Sequence, residues 1–359
     1  MKLVIFGLTL SSSWGNGHAT LWRGLIHGLA VGGHEVVFFE HDVPYYAAHR
    51  DVTALSDGQL ILYDDWGSVL PQARHHTRDA DAVIVTSYCP DAITASRLIF
   101  DEGTHALRVF YDLDTPVTLA RVEAGDSVDY LPSNGLRDFD LVLSYTGGAA
   151  LTALQERLGA REVAPLYGHV DPEVHHPVPV NGEARSALSY LGTYAHDRQE
   201  TLLRLFIEPA KLRPADRFVL GGSGYPQDFP WQPNIWFVRH IAPAGHATFF
   251  SSSRLTLNVT RADMAAMGFC PSGRLFEAAA CGAPLLTDSW PGLEEFFTPG
   301  EEILVARSTD DAVAAVDSSA AMLERIARAG RERTLAEHTS AHRAGQLIDI
   351  LGGARRCGA

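Results

Sequence analysis

The sequence predicts an α/β protein built from two doubly wound domains with parallel sheets. Short apolar runs alternate with amphipathic stretches, and this rhythm of strand, helix and strand occurs twice along the 359 residues. Between the two occurrences, residues 165–182 read PLYGHVDPEVHHPVPVNG, with four prolines and no apolar period, which is typical of a linker. A chain of this length also exceeds the usual size of one domain.

Six apolar runs in the first half predict buried parallel strands, because each is short and continuous. The segment 18–31 predicts a helix, in which Leu21, Leu25 and Leu29 form one apolar stripe that Gly32 and Gly33 end. The predicted strands are 3–6, 35–40, 60–63, 82–87, 107–112 and 141–145.

The second half repeats the pattern after the linker. Helices are predicted over 197–210 and 272–281, and a last helical segment over 311–351 has a break at Gly330. The predicted strands are 188–192, 217–222, 235–241, 254–259, 284–288 and 302–306.

Composition excludes several classes of protein. A formal charge of −14 argues against a nucleic-acid partner, so any anionic ligand requires local positive charge. The four cysteines have neither CxxC spacing nor a zinc-finger pattern, and we expect neither disulfides nor a structural metal site. No apolar run is long enough to cross a membrane, and no signal peptide is evident, so we expect a cytoplasmic protein.

A glycine turn connects the first strand to the first helix and contains Gly15, Asn16, Gly17 and His18. Ligands of α/β sheets gather at the carboxyl ends of strands, where helix amides bind anions and glycines permit close approach. A dinucleotide site is an alternative, with Glu40 as the ribose-binding acid, although the third glycine of that fingerprint is absent. A plain surface turn is a further alternative.

The segment 255–288 contains a second candidate site. Ser272 suits a helix start and Gly282 a helix end, which places Glu277 inside a short helix among apolar neighbours. A carboxylate there could accept both hydroxyls of a ribose, while the amides of Ser272, Gly273 and Arg274 face a diphosphate. The alternative is a solvated surface glutamate.

The stretches PSGRLFEAAACGAPLLTD, LNVTRADM and HVDPEVHHP together resemble the CgeB-like family of glycosyltransferases. The resemblance implies the GT-B fold, in which two Rossmann-like domains with parallel sheets face each other across a cleft. It further implies an acceptor domain at 1–170, a linker at 171–180, a nucleotide-sugar domain at 181–333, and a C-terminal helix at 334–351 that crosses back to the first domain.

Many GT-B enzymes carry two glutamates in this segment, and the second, which grips the ribose, matches Glu277. The first would fall at Phe269, so it is absent here. The retaining mechanism inferred from that pair therefore lacks one of its residues.

The stretch NGHATLWRGLIHGLAVGGHEVVFF also resembles the first strand–loop–helix of inverting GT-B transferases. In that group the histidine matching His18 is the general base, and an aspartate, here Asp112 or Asp114, orients it. An imidazole suits this role because its pKa lies near neutrality. Asp112 and Asp114 also form a DxD metal motif, which belongs to the other major glycosyltransferase fold.

Further donor contacts are expected at the strand ends of the second half. Arg261 and Arg274 are the strongest phosphate candidates, since guanidinium groups bind phosphate oxygens in pairs. The other expected donor-site residues of the second half are Thr193, Gly222, Ser223, His240 and Ile241. Gly15, Asn16 and Gly17 of the glycine turn are also expected to bind the donor. The pairs His75-His76 and His175-His176 are interpreted as structural or solvent-facing, because adjacent side chains diverge.

The sequence therefore predicts a glycosyltransferase that moves a sugar from a UDP-, TDP- or GDP-sugar to a hydroxyl- or amine-bearing small molecule or glycan. No metal and no cofactor are expected. The alternatives are a nucleotide-sugar epimerase or hydrolase, a non-catalytic nucleotide-sugar sensor, and an NAD(P)-dependent oxidoreductase.

Overall fold

The computed structural model describes residues 1–102, 105–180 and 185–358, and the chain divides into two units. The first unit comprises Met1–Tyr167 together with the C-terminal helix that begins at Ser340, and the second comprises Gly168–Thr339. Residue 181, where the predicted nucleotide-sugar domain begins, lies outside the described residues. A parallel bridge between Val170 and Thr339 connects the two ends of the second unit.

Within the described residues, the first unit contains a sheet of seven strands, all paired in parallel. Its strands are β1 (Lys2–Gly7), β2 (Glu35–His41), β3 (Gln59–Tyr63), β4 (Ala82–Thr86), β5 (Leu107–Asp112), β6 (Leu141–Ser144) and β7 (Val163–Pro165). Its first helices are α1 (His18–Val31), α2 (Pro44–Ala47), α3 (Trp66–Arg78), α4 (Ala92–Asp101), α5 (Thr115–Glu123) and α6 (Ala149–Leu158). The strand order is β3-β2-β1-β4-β5-β6-β7. Successive strands are added on one side of β1 up to β3 and on its other side from β4 onward, so the strand order reverses beside β1.

Helix α1 has a wider buried face than the predicted stripe. Leu25 and Leu29 are buried as expected, but Leu21 is only half-buried, and Trp22 and Ile26 complete the face. Gly28 is also buried, and a Cβ atom there would lie 2.6 Å from the carbonyl oxygen of Ser340. Glycine at this position therefore allows the C-terminal helix α14 (Ser340–Gly358) to pack closely on α1.

The second unit contains a parallel sheet of six strands within the described residues. The strands are β8 (Leu188–Leu191), β9 (Phe218–Gly221), β10 (Ile235–Val238), β11 (Thr256–Asn258), β12 (Leu285–Asp288) and β13 (Leu304–Ala306). Their order is β10-β9-β8-β11-β12-β13, with the reversal between β8 and β11. Two parallel-sheet α/β domains are thus present, which confirms the predicted fold class.

The helices of the second unit differ from the prediction in two places. The predicted helix over 197–210 consists of a 3-10 turn at His196–Arg198, then α7 (Gln199–Leu202), a π-helical turn at Leu203–Ile207 and α8 (Glu208–Leu212). The remaining helices are α9 (Pro243–Ser251), α10 (Ala262–Met267), α11 (Gly273–Ala280), a 3-10 turn at Leu293–Glu295, α12 (Thr309–Val316) and α13 (Ala320–Glu337).

The predicted helix break at Gly330 is wrong, because α13 continues through this residue. A Cβ atom at Gly330 would lie 2.6 Å from the carbonyl oxygen of Glu302, so glycine is needed there for close packing rather than for a turn. The helical segment is interrupted instead at residues 317–319 and 338–339. Among the described residues, no helix is both long enough and apolar enough to span a membrane.

Candidate active site

The candidate residues of the first unit lie at the carboxyl ends of neighbouring strands. His18 begins α1 after β1, Asp112 ends β5, and Asp114 is the N-cap of α5. The strands β1, β4 and β5 are adjacent in the sheet, and the sheet order reverses beside β1. Such a reversal is where open α/β sheets bind ligands.

The glycine turn before His18 is held in shape by Asn16. The side-chain amide of Asn16 donates a hydrogen bond to the carbonyl oxygen of Thr9 at 3.1 Å, and its oxygen accepts one from the amide of His18 at 3.1 Å. Gly15 has a φ of +62°, which favours glycine, whereas a Cβ atom at Gly17 would meet nothing within 4 Å. The turn therefore positions the start of α1 and leaves open space beside Gly17.

His18 lies half-buried at this helix start, with its ring edge against Tyr145 at a centroid distance of 6.4 Å. Burial lowers the pKa of His18 below its usual value, and the charge of Asp114 opposes this shift. The imidazole is consequently neutral at neutral pH, which is the state a general base requires.

Tyr88, at the end of β4, also contributes to this cluster and was not identified from the sequence. Its hydroxyl donates a hydrogen bond to Asp114 at 2.9 Å, and its backbone φ is +64°. A bulky residue seldom adopts that conformation, and such strain often occurs at functional sites. Burial raises the pKa of Tyr88, so its phenol stays protonated and remains a hydrogen-bond donor.

Asp112 differs from Asp114 in that it is fully buried. Its Oδ1 accepts hydrogen bonds from the amide of Asp114 and the hydroxyl of Thr118, each at 3.1 Å. Burial raises the pKa of Asp112 to about 6. Because Asp114 is the aspartate whose charge acts on His18, it is the better candidate for orienting the imidazole.

The carboxylate of Glu40 is buried and already accepts hydrogen bonds from its own unit. It is 1% exposed, and its two carboxylate oxygens accept hydrogen bonds from Thr9, Leu10 and Ser11 at 2.5–2.9 Å. These contacts fix the loop after β1. Because the same oxygens would have to bind a ribose, the geometry disfavours a dinucleotide site of the type in which Glu40 holds the cofactor.

The glycine-rich strand ends of the second unit approach each other closely. A Cβ atom on Gly222, whose φ is +150°, would lie 2.0 Å from the carbonyl oxygen of Gly192, so only glycine fits. Ser223 accepts a backbone hydrogen bond from Tyr194 at 2.8 Å, and the carbonyl of Thr193 accepts one from Arg198 at 3.3 Å. These turns line the carboxyl ends of β8 and β9.

The two arginines predicted to bind phosphate differ in their contacts. The Nε atom of Arg261 pairs with Asp197 at 2.8 Å. Arg274 lies in the first turn of α11, where the Ser272 hydroxyl accepts a hydrogen bond from its amide at 3.4 Å, and Gly273 is the first helical residue. The Nε atom of Arg274 is buried and has no hydrogen-bond partner among the described residues.

Glu277 lies one turn further along α11 and is 5% exposed. Its Oε1 lies 3.9 Å from Nε2 of His175, and its Oε2 lies 3.6 Å from Nδ1 of His246. Burial acts to raise the pKa of Glu277, but the neighbouring histidines and Arg274 lower it well below its usual range. The solvated glutamate that the sequence left open is therefore not what the structure contains.

Two further predicted positions can be located. The carbonyl oxygen of Ile241 lies 3.2 Å from Nε2 of His246, while His240 is half-buried in the loop after β10.

Phe269, at the position of the absent first glutamate, has a φ of +50°, and a Cβ atom on Gly292 would lie 2.5 Å from its ring. Phe269 thus packs closely against Gly292 and provides no carboxylate at this position.

Comparisons with known proteins agree with this architecture. Residues 198–349 match the family described as glycosyl transferase-like. Sucrose-phosphate synthase from Thermosynechococcus elongatus matches with a TM-score of 0.69 and 16% identity, over 99% of this chain and 100% of that chain. HepE from Anabaena, in complex with UDP and glucose, has a TM-score of 0.69 and 12% identity over 98% and 100% of the two chains. An alpha-glucosyltransferase in complex with UDP has a TM-score of 0.71 and 13% identity over the same shares.

No curated protein matches the sequence. The likeness to the solved structures covers nearly the whole chain at low identity, so it defines the fold. The chain has the GT-B fold with two parallel-sheet α/β domains, and the match to the glycosyl transferase-like family is confined to residues 198–349.

Proposed function

We propose that this protein is a glycosyltransferase that moves a sugar from a nucleoside-diphosphate sugar to a hydroxyl- or amine-bearing acceptor. The single observation that carries the proposal is the position of Arg274. Its buried guanidinium Nε has no hydrogen-bond partner among the described residues, and the residue lies in the first turn of α11, between β11 and β12 in the chain. The strand order of the second sheet reverses beside β11. A diphosphate fits this combination of a cation and helix amides.

The first unit supplies the groups for proton transfer in this proposal. His18 takes the proton from the acceptor nucleophile, and Asp114 fixes the orientation of the imidazole and stabilises the imidazolium that forms. Tyr88 holds Asp114 through its hydrogen bond. The neutral state of His18, which follows from its burial, supports this role.

Glu277 is proposed to accept the ribose hydroxyls of the donor. Its two carboxylate oxygens suit this role, since carboxylates bind hydroxyl donors strongly. Because Glu277 is only 5% exposed, this assignment requires the neighbouring side chains to move when the donor binds.

The finer identity of the enzyme is proposed from its relatives. HepE and the alpha-glucosyltransferase have structures with UDP or UDP-glucose, so UDP-glucose is the first donor to test, followed by TDP- and GDP-sugars. We assign the chain to the CgeB-like type, with cytoplasmic transfer and no metal at the diphosphate. Three of the matched alpha-glucosyltransferase structures contain DNA, but the charge of −14 on this chain does not favour a nucleic-acid acceptor.

The proposal is tested by donor binding to Arg274→Ala. Loss of a charged contact to the diphosphate should weaken UDP-glucose binding about 10- to 100-fold, as measured by calorimetry. Arg328→Ala is the matched control, because Arg328 is an exposed arginine on α13. Equal affinity of wild type and Arg274→Ala would remove Arg274 from the donor site.

A non-catalytic nucleotide-sugar sensor is the second candidate, because Phe269 occupies the place of the first glutamate. Incubation of the enzyme with bound donor and a panel of acceptors separates the two functions. Transfer to any acceptor supports the enzyme, whereas binding without turnover supports the sensor. Product formed from the donor alone would indicate an epimerase or hydrolase.

A further inference from the structure

Three side chains of types that bind metal ions converge in the interior of the second unit. His175 comes from the segment after β7, His246 from α9 and Glu277 from α11. They are 3%, 7% and 5% exposed, and one ligand atom from each lies within 4.8 Å of the other two. Three separate segments of the chain therefore meet at one buried point.

The spacing of these atoms matches the ligands of an ion better than direct hydrogen bonds. Nε2 of His175 lies 3.4 Å from Nδ1 of His246, and the two carboxylate–imidazole distances are 3.6 and 3.9 Å. Hydrogen bonds of this type are usually about 2.7–3.2 Å long. Ligands bound about 2.0–2.1 Å from a tetrahedral zinc ion are separated by about 3.3 Å.

The contact of His246 with the backbone sets which nitrogen faces the cluster. Its Nε2 lies 3.2 Å from the carbonyl oxygen of Ile241, and a carbonyl oxygen only accepts hydrogen bonds. Nε2 therefore carries the proton, and a neutral imidazole directs the lone pair of Nδ1 towards Glu277 and His175. Histidine ligands of metals are typically fixed by this kind of hydrogen bond from the second ring nitrogen.

We propose that Nε2 of His175, Nδ1 of His246 and the carboxylate of Glu277 bind a divalent transition-metal ion, with zinc as the ion of choice. Two imidazoles and one carboxylate suit zinc, whereas magnesium and calcium prefer sites made of oxygen atoms. The ion would connect α9, α11 and the segment that contains His175.

The metal site does not depend on the proposed transferase function. It is also compatible with that function, because a carboxylate that binds the ion through one oxygen keeps the other for a hydroxyl group. The chemical rival is a proton in place of the metal, with His246 as an imidazolium ion paired to Glu277.

Zinc content is the direct test. Untagged protein is incubated with zinc, freed of unbound metal on a desalting column, and analysed by mass spectrometry for metals. We expect about one zinc per chain in the wild type. His175→Ala and His246→Ala should lose the zinc, whereas His176→Ala should retain it, because His176 is exposed and lies next to a ligand without being one.

A second measurement guards against variants that fail to fold. Cobalt replaces zinc in the wild type, and its visible absorption reports a tetrahedral site in the folded protein. The conservative variants Glu277→Gln and His175→Gln, checked for folding by circular dichroism, should lack this absorption. A folded wild type that retains no zinc and shows no cobalt spectrum would overturn the proposal and leave the proton as the explanation.

Donor binding is measured on the same samples so that the two proposals fail separately. Zinc retention without binding of any nucleotide sugar would overturn the proposed function and support the metal site. Nucleotide-sugar binding without zinc retention would overturn the metal site and support the proposed function.

Discussion

The carboxyl-end edges of the two sheets carry different kinds of chemistry. The first unit places His18, Tyr88, Asp112 and Asp114 there, and three of these four groups have pKa values that burial shifts. The second unit places fixed charges there, with Arg274 in the first turn of α11 and an ionised Glu277 one turn further along the same helix. Two sheets with the same type of strand order thus carry different side chains on their loops.

In the proposed function, this difference separates proton transfer from ligand binding. The first edge supplies groups suited to proton transfer, because burial keeps the His18 imidazole neutral and the Tyr88 phenol protonated. A diphosphate instead needs charges that do not titrate, which the second edge supplies. Changes in the first edge should therefore alter rate or pH dependence, and changes in the second should alter affinity.

The largest effect is expected from His18→Ala. Removal of a general base typically lowers the rate about 10²- to 10⁴-fold, while donor affinity should remain at the wild-type level because the donor charges lie in the second unit. Steady-state kinetics with UDP-glucose and calorimetry on the same variant measure both quantities. His75→Ala is the matched control, since His75 is an exposed histidine of the same unit. A parallel loss of rate and affinity would contradict the division between the two edges.

The next effect concerns stability and belongs to Asp112. Burial raises the pKa of Asp112 to about 6 from its usual 3.8, so the folded protein binds this proton more tightly than the unfolded chain does. Protonated Asp112 therefore stabilises the folded protein below pH 4, and this stabilisation is lost as the pH rises through 6. The loss corresponds to about 3 kcal/mol in the free energy of unfolding. Asp112→Asn does not titrate.

The free energy of unfolding of Asp112→Asn relative to wild type should therefore increase as the pH rises from 4 to 7. Denaturation followed by tryptophan fluorescence at each pH measures this difference. The test is how this free-energy difference changes with pH and not its absolute size. The absolute size is also affected by the amide, which changes the hydrogen bonds to Asp114 and Thr118. A constant difference over this range would show that Asp112 titrates normally.

Local sequence patterns account for much of the fold and for part of the site. The helix over 18–31 and the strand over 107–112 have the predicted bounds, because apolar periodicity and turn residues act over short distances. Those two elements already place His18 and Asp112 at strand ends. The sheet order then brings the carboxyl ends of β1 and β5 to the same edge of the sheet, with β4 between them.

Other features depend on contacts between distant segments, which no local pattern reveals. Gly330 resembles a helix break in the sequence, yet it is needed because the carbonyl of Glu302 packs against it. Tyr88 follows an ordinary buried strand, and only its positive φ and its hydrogen bond to Asp114 identify it. The convergence of His175, His246 and Glu277 likewise becomes apparent only when three segments are folded together.

The smallest effect is expected from Tyr88→Phe, which removes one hydrogen bond and keeps the ring. Loss of the bond to Asp114 should cost about 1 kcal/mol of transition-state stabilisation, or about fivefold in kcat. The Asp114 carboxylate, no longer sharing its charge with the phenol, should act more strongly on His18 and raise the pKa of the imidazole. The acid limb of the kcat/KM profile should then move to higher pH, whereas a purely structural role of Tyr88 would lower the rate at every pH alike. A displaced acid limb with unchanged donor affinity would place Tyr88, Asp114 and His18 in one proton-transfer unit, distinct from the charges of α11.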